Sequence, residues 1–402
     1  MRPLRPGKMF FIKLLSFLPR RLRYAVYREM IRVKHPPPNT IFKIAETEDE
    51  ISQAFTILHQ AYVKEGLMDP HPSGMRVTLY HALPTTTILI AKRNNEVLGT
   101  LTMIRDNPIG LPGEGLMNLE KLRNEGHQIA EVSALAIQPR YRGRLLFPLL
   151  KFMYTYSTKY LAIDTLLAVT TKQWSIFYES ILFFKVFKID SELKSYTFVD
   201  YDTPVALSLD LKEAFSEFAR FYGGRRFNRG LFHYFVVESS PEFKFPSREF
   251  FRASDPVMTP KLLNYFFKKK TNIFEKLSPD EVDIFRRLYP GKEFQRLFET
   301  RFPNKQRHSR RPVNCKGELY LGEEVIPILL INASLKGFCA ISQGNPIQTE
   351  ELYSGKALIG EFTIVSFKAR SLWSKGVLTG FSIVEVSDEW VEFVGEYIAK
   401  AA

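Results

Sequence analysis

Between Ile41 and Val199 the apolar spacing switches repeatedly from the period of a strand to that of a helix. IFKIAET reads as a strand, and EDEISQAFTILHQAYVKEG as an amphipathic helix ended by Gly66. TTTILIAKRNNEVLGTLTMIRD predicts a hairpin turning at Asn94-Asn95. AEVSALAI and TLLAVTT are further strands, LLFPLLKFMYTYSTKYLA and QWSIFYESILF further helices, and FKVFKI a candidate last strand. A chain that alternates in this way must layer helices on a sheet, so the class is α/β. PVALSLDL and an aromatic-rich segment continue it through residues 204–235.

The pattern then changes twice. Residues 256–300 read as helical throughout, and SPDE (Ser278 to Glu281) carries a capping signature with proline at the first helical position. From about Val313 to Ile383 short alternating strands with glycine-containing turns predict a small all-β barrel. The expected division is an arm over 1–38, an α/β domain over 39–255, a helical connector over 256–302 and a β domain over 303–402. A length of 402 residues suits two or three domains.

Charge is uneven. Residues 1–35 hold ten Lys or Arg against one acid, a net +9 out of +13 for the chain. Nucleic-acid binding across the body is therefore not implied, and no nucleic acid polymer is expected as a partner. The arm runs MFFIKLLSFLP and then RRLRYAVYREMIRVK. The first run is too short to span a bilayer. In the second, Leu22, Val26, Met30 and Val33 share one helical face, with Arg21, Arg28 and Arg32 elsewhere around it. Such a basic amphipathic helix fits either an anionic membrane surface, through residues 1–34, or packing on its own domain. The two cysteines, Cys315 and Cys339, imply a reducing compartment with no disulfide framework. The expected location is cytoplasmic, with peripheral attachment at the inner face of the membrane. The seven histidines show no ligand spacing, so no metal is expected.

AEVSALAIQPRYRGRLLFPLLKFMY is a strand, a basic glycine-containing loop and a helix, an arrangement that points backbone N–H groups at an anion. An ordinary strand-helix turn with solvated arginines has the same outline. The loop resembles the acyl-donor loop of GNAT acyltransferases. With AYVKEGLMDPHPSGMRVTLYHALPTTTILIAK, NPIGLPGEG and AEVSALAI, the stretch from 42 to about 190 resembles the FeeM-like N-acyl amino acid synthases, relatives of the LuxI-type synthases. The resemblance implies a GNAT-like acyltransferase that moves a fatty acyl chain from acyl carrier protein to an amino acid amine. The donor would be a phosphopantetheine-bound acyl chain, bound through Ala136, Ile137, Arg140, Arg142, Gly143 and Arg144. Leu145 and Phe147 stand where acyl-CoA loops have small residues, which favours a carrier protein by crowding a pyrophosphate. Ala134 stands where autoinducer synthases carry Arg, and Phe183 where glycine usually follows the tyrosine helix.

Amide formation needs a base for the amine, a donor for the oxyanion and an acid for the leaving thiolate. Glu131 is the candidate base, against the alternative of an exposed acid at a strand start. Backbone N–H groups around Ala136 and Ile137 are the candidate oxyanion donors. Tyr178 matches the tyrosine that protonates the leaving sulfur, or is a core aromatic. Arg76 is placed to clamp the substrate carboxylate, as Arg does bidentately. His81 is a second base or a structural histidine.

In the last hundred residues, NASLKG (Asn332 to Gly337) follows the apolar run VIPILLI, and RHSRR (Arg307 to Arg311) lies upstream. In this order, on a small barrel, the two resemble a PilZ domain, the bacterial receptor for cyclic di-GMP. The resemblance implies a nucleotide site formed by Arg307, Arg310, Arg311, Asn332, Ser334 and Gly337. Arg guanidinium groups suit guanine O6/N7 and phosphate, and Gly337 allows positive φ and close chain approach. Arg307 and Arg311 satisfy the spacing literally, whereas RRPV puts Arg310 second and Gln306 first. The combined expectation is a cyclic di-GMP-responsive N-acyl amino acid synthase. Its rival is a non-catalytic cyclic di-GMP effector whose acyltransferase fold docks a partner or senses lipid. An open cleft beside Glu131 and Tyr178 favours the enzyme, and one plugged by Phe147 or Phe183 favours the rival.

Overall fold

The structure is a computed structural model that describes residues 17–187, 204–225, 230–246, 258–289, 292–298, 310–342, 347–359, 363–375 and 377–399. Its first body is a seven-stranded sheet in the order β1-β2-β3-β4-β5-β7-β6. The strands are β1 (Thr40–Ile44), β2 (Thr86–Arg93), β3 (Glu96–Arg105), β4 (Ile129–Ile137), β5 (Thr165–Thr171), β6 (Lys185–Val186) and β7 (Pro204–Asp210). The predicted hairpin is β2–β3, with Asn94 in the left-handed region at φ 54°. Among the described residues of FKVFKI, Lys185 and Val186 form β6.

Strand alternation sends β2 side chains to both faces. Ile88 and Ile90 meet Ile51, Phe55 and Leu58 of helix α2 (Glu48–Lys64). Leu89 and Ala91 meet Leu149 and Phe152 of helix α3 (Arg142–Lys159). Helices α4 (Lys172–Leu182) and α5 (Leu211–Tyr222) join the second layer. α2 opens on the capping box Thr47/Glu50, and Glu50 is held at about 2 by Lys92 and Lys43 against the opposing effect of burial.

Helix α1 (Arg20–Met30) corrects the expected apolar face. Val33 lies beyond its end, while Leu22 and Met30 are 56% and 53% exposed. The residue that buries is Arg28. Its Nε donates to the Ser180 carbonyl at 2.8 Å, and its guanidinium lies over the rings of Phe221 and Phe183. α1 is thus fastened in part by a cation, with Tyr27 packed on the core beside it, while Leu22 and Met30 face solvent. No helix among the described residues is long and apolar enough to cross a membrane.

The described part of the connector is helical in pieces. A helix at Pro260–Asn264 runs into a π-helical turn at Tyr265–Lys270, and α6 (Pro279–Leu288) follows. Ser278 and Glu281 form the expected capping box with Pro279 at the first position. β8 (Arg311–Leu321), β9 (Glu324–Ser334), β10 (Gly337–Ser342), β11 (Leu352–Leu358), β12 (Ile364–Lys375) and β13 (Leu378–Val386) close a barrel in the order β10-β13-β12-β11-β8-β9. Trp390 of helix α7 (Asp388–Ala399) packs against Phe338 and Phe367 in its core. One hydrophobic cluster runs from α2 (Phe55, Leu58) through the connector (Phe266, Phe285, Tyr289) to the barrel (Leu329, Ile331, Cys339).

Candidate functional site

The sheet opens in its middle. β4 and β5 pair in parallel only where Ile129 to Glu131 meet Thr165 to Leu167. Further along, a bulge shifts the β3–β4 register between Thr100 and Thr102, and Ala134 takes a φ of 52°. A bulge bends its strand, so β4 leaves β5. The gap is a cleft of about 290 Å³ lined by Val132 to Ile137, Ala168 to Thr171, Tyr62, Arg142, Trp174 and Tyr178. Gln138 N–H bonds to Leu98 O. Alternation along β4 therefore sends the Ala136 N–H to β3 and turns the Ile137 N–H toward the cleft. Of the two candidate donors, the Ile137 N–H faces the cleft and the Ala136 N–H faces β3.

A second, narrower pocket shares Val132 and Tyr178 with the cleft. Its walls are apolar and include Met153 of α3, Leu166 of β5, Leu182 of α4, and Phe218 of α5. Phe215 and Val236, 47% and 38% exposed, stand among its lining residues.

Glu131 occupies the last paired position before the strands part. It is 1% exposed, which removes the reading of a solvated strand-start acid. Its Oε2 accepts the Gly113 N–H at 2.7 Å. Burial pushes the carboxyl up to about 8, with the nearby Glu114 adding to the rise and the Gly113 bond opposing it. Gly113 belongs to the NPIGLPGEG loop, in which Asn107 bonds to Arg105 O and Gly110 O, and Arg123 bridges Asp106 and Glu114. A Cβ at Gly113 would stand 2.5 Å from Met117 and 2.6 Å from Val169, so only glycine lets this loop reach Glu131. No role for the loop was legible in the sequence, although its three closely spaced glycines signal a tight approach.

Tyr178 lies where the two cavities meet. Burial raises its phenol to about 12, so the proton stays on at neutral pH. Arg76 does not line the cleft. It is 7% exposed and lies behind Tyr62, its guanidinium 4.2 Å from that ring's centroid. Tyr62 was missed in the sequence because a helix tyrosine carries no pattern of its own. His81 is 1% exposed, and its Nδ1 accepts the Thr78 N–H at 3.0 Å, which puts the proton on Nε2. Burial and the Arg76 charge lower its pKa to about 3. Its ring lone pair is thus occupied within the turn, which is the arrangement of the structural alternative of the two readings.

The basic loop divides. Arg142 lines the cleft with Glu65 3.9 Å away. Arg140 turns to Glu96, and Arg144 bonds to the carbonyls of His35 and Pro36, fastening the segment before β1. Gly143 is open, with nothing within 4 Å of a Cβ built on it. Leu145 is fully buried in the core, so it cannot crowd a pyrophosphate at the loop as the sequence suggested. Phe147 packs on Phe177, and Phe183 takes φ 61° at the end of α4 with its ring on Phe221. Neither is among the residues lining the two cavities.

In the barrel, Leu335 and Lys336 form the two-residue turn between β9 and β10, with Ser334 paired to Gly337. Asn332 and Ser334 are 1% and 4% exposed. Ser334 Oγ donates to Gly337 O at 3.0 Å, and Arg310 Nη1 to Asn332 Oδ1 at 3.1 Å. Gly337 does not have positive φ; it is needed because a Cβ would meet Phe381 O at 2.4 Å. Arg307 lies outside the described residues, and of Arg311 only the backbone, pairing with Ala333, is described.

Residues 53–210, from within α2 to the end of β7, match the family described as N-acyl amino acid synthase FeeM. No match was found among curated proteins. Among solved structures, FeeM, an N-acyl amino acid synthase from uncultured soil microbes, is 24% identical over 45% of this chain and 95% of its own, with a TM-score of 0.39. BjaI, a CoA-dependent acyl-homoserine lactone synthase, is 16% identical over 52% and 94%, with a TM-score of 0.37. The acyl-homoserine lactone synthase LasI is 17% identical over 43% and 90%, with a TM-score of 0.31. The chain thus carries a domain of the FeeM family over residues 53–210, within a mixed α/β fold, and a closed six-stranded barrel after it.

Proposed function

We propose that this chain is a cyclic di-GMP-responsive N-acyl amino acid synthase that takes its fatty acyl chain from acyl carrier protein. In this reading residues 39–255 are the acyltransferase, 256–302 the connector, and 303–402 a PilZ domain. The arm 1–38 rests on the inner face of the membrane through the exposed Phe17, Leu18 and Leu22 beside its arginines. The observation that carries the enzyme reading is the meeting of two cavities at Tyr178, one mixed in polarity and one apolar. A thioester arm suits the first, an acyl chain the second, and the reacting carbonyl falls between them.

The chemistry follows from the groups at hand. Glu131, next to Val132 of the cleft wall but not itself among the lining residues, takes the amine proton through an intervening water as nitrogen attacks the thioester carbonyl. The Ile137 N–H donates to the oxyanion that forms. The carbon–sulfur bond then breaks, and Tyr178 gives its proton to the leaving thiolate and recovers it from solvent. Arg142 meets the donor's phosphate at the start of α3. Tyr62, backed by Arg76, lines the cleft where the amino acid enters. The non-catalytic rival needs a plugged cleft, and the placement of Phe147 and Phe183 away from both cavities disfavours it.

The test uses the full chain with a panel of amino acids and long acyl chains on acyl carrier protein or on CoA, read by mass spectrometry of the amide. Amide from the carrier-bound donor is expected. Product from CoA alone would refute the carrier, and no product from any pair would refute the enzyme. Calorimetry with cyclic di-GMP, repeated on Arg310→Ala and Arg311→Ala, tests the receptor, and turnover with and without the nucleotide tests control.

A further inference from the structure

The Asn332 amide is used on both sides. Its Oδ1 accepts from Arg310, and its Nδ2 donates to the backbone carbonyl of Arg287 at 2.9 Å. Arg287 stands in the last turn of α6, paired with Asp283 at 2.9 Å, and its guanidinium lies 3.8 Å from the centroid of the Trp373 ring of β12. Two residues on, the buried Tyr289 hydroxyl donates to the Ala82 carbonyl at 2.6 Å. Ala82 follows His81, whose ring meets Phe55 at 4.8 Å, and Phe55 meets Phe266 of the connector at 5.2 Å. The end of α6 is therefore held by the barrel motif on one side and by the turn beside the acyltransferase site on the other.

Asn332 is 1% exposed and the Arg287 guanidinium covers a face of Trp373, so a guanine reaches the remaining amide hydrogen and that ring face only if Arg287 moves. We infer that the end of α6 is a latch: a cyclic dinucleotide that takes Asn332 and the face of Trp373 displaces Arg287, and the same movement draws Tyr289 off Ala82 and loosens the turn that carries His81. This rests on the nucleotide reading of the barrel, but the latch itself can be tested without a nucleotide. A ligand shifts an equilibrium only by favouring one arrangement over another, and here the two differ in which group holds Asn332.

Hydrogen exchange on the full chain, read by mass spectrometry, provides the test. Asn332→Asp keeps the size and the acceptor for Arg310 but removes the donor to Arg287. Without nucleotide it should speed exchange about tenfold in 279–289 and also in 79–85, the size expected for losing a buried hydrogen bond. Tyr289→Phe should speed 79–85 by itself, and should abolish the further effect of Asn332→Asp there. Cyclic di-GMP added to the wild type should speed the same two segments. A change confined to the barrel in Asn332→Asp would overturn the latch. So would heat of binding by cyclic di-GMP with both segments unchanged, an outcome that leaves the nucleotide reading standing. Spread to 79–85 in the variant without any binding of cyclic di-GMP would refute the nucleotide reading and keep the latch. If Asn332→Asp does not fold, the comparison of wild type and Tyr289→Phe with cyclic di-GMP decides: acceleration in 79–85 that Tyr289→Phe does not remove refutes the latch.

Discussion

Glu131 accepts a single backbone N–H, from Gly113 at 2.7 Å, at the point where β4 and β5 part. One neutral donor does not replace the water that burial removes from a carboxylate. The carboxyl therefore sits close to the midpoint of its titration under ordinary conditions, at about 8.

This sets a pH dependence. Below about pH 8 Glu131 holds its proton and cannot take another, so kcat should rise with pH and level off above that value. The native value lies above the reference value of 4.5, so the native state binds the extra proton between the two. Stability is then full below the reference value and is lost as pH rises through about 8. Glu131→Gln keeps an acceptor for Gly113 while abolishing the charge. It should cut kcat by roughly 10²–10⁴, and at pH 9 be the more stable protein by roughly 4 kcal/mol. Urea unfolding at pH 5 and pH 9 checks this; parallel behaviour of the two proteins would show that Glu131 does not titrate in this range.

Tyr178→Phe keeps the ring between the two cavities and removes the proton. We expect kcat to fall by about 10²-fold, with the KM for the amino acid and the unfolding midpoint little changed. Because burial holds the phenol at about 12, the wild-type rate should show no decline from this group below about pH 10. An unchanged kcat in the variant would leave Tyr178 as a core aromatic.

Met153→Trp should fill the apolar pocket from α3. Competition between acyl donors of different length, scored by product mass, should shift toward the shorter chains. The overpacking should cost about 1–3 kcal/mol. An unchanged chain profile would place the acyl group elsewhere.

Arg28→Ala leaves the Ser180 carbonyl and two aromatic faces without their cation. A loss of about 2 kcal/mol is expected in chemical unfolding. Arg28→Lys should recover little of it, since a single ammonium cannot bond to the carbonyl and cover the rings together. Wild-type stability in Arg28→Ala would mean that α1 is held mainly by other contacts.

Local features were legible in the sequence because short-range physics determines them. The alternation gave the sheet and its helices, Asn94-Asn95 the hairpin, and Ser278-Pro279-Glu281 the start of α6. What failed depended on which face a segment turns inward. Leu22 and Met30 form a regular stripe, yet Arg28 packs, because Phe183 and Phe221 from distant segments offer a cation its best surface. Arg76 is not among the residues lining the cleft, and Leu145 is buried in the core behind its loop. The apolar pocket draws on residues from Val132 to Val236, and no local pattern records such an assembly.

The hydrophobic cluster that joins Phe55, Phe266, Phe285, Ile331 and Cys339 has a practical meaning. The barrel is not a detachable part. Cutting the chain before β8 would strip Phe285, Leu288 and Tyr289 of their barrel neighbours and open a greasy wound on the acyltransferase side. Calorimetry of the intact chain should give one transition, whereas a shortened chain should be prone to clump. Any attempt to transplant the barrel onto another catalyst must carry the connector with it.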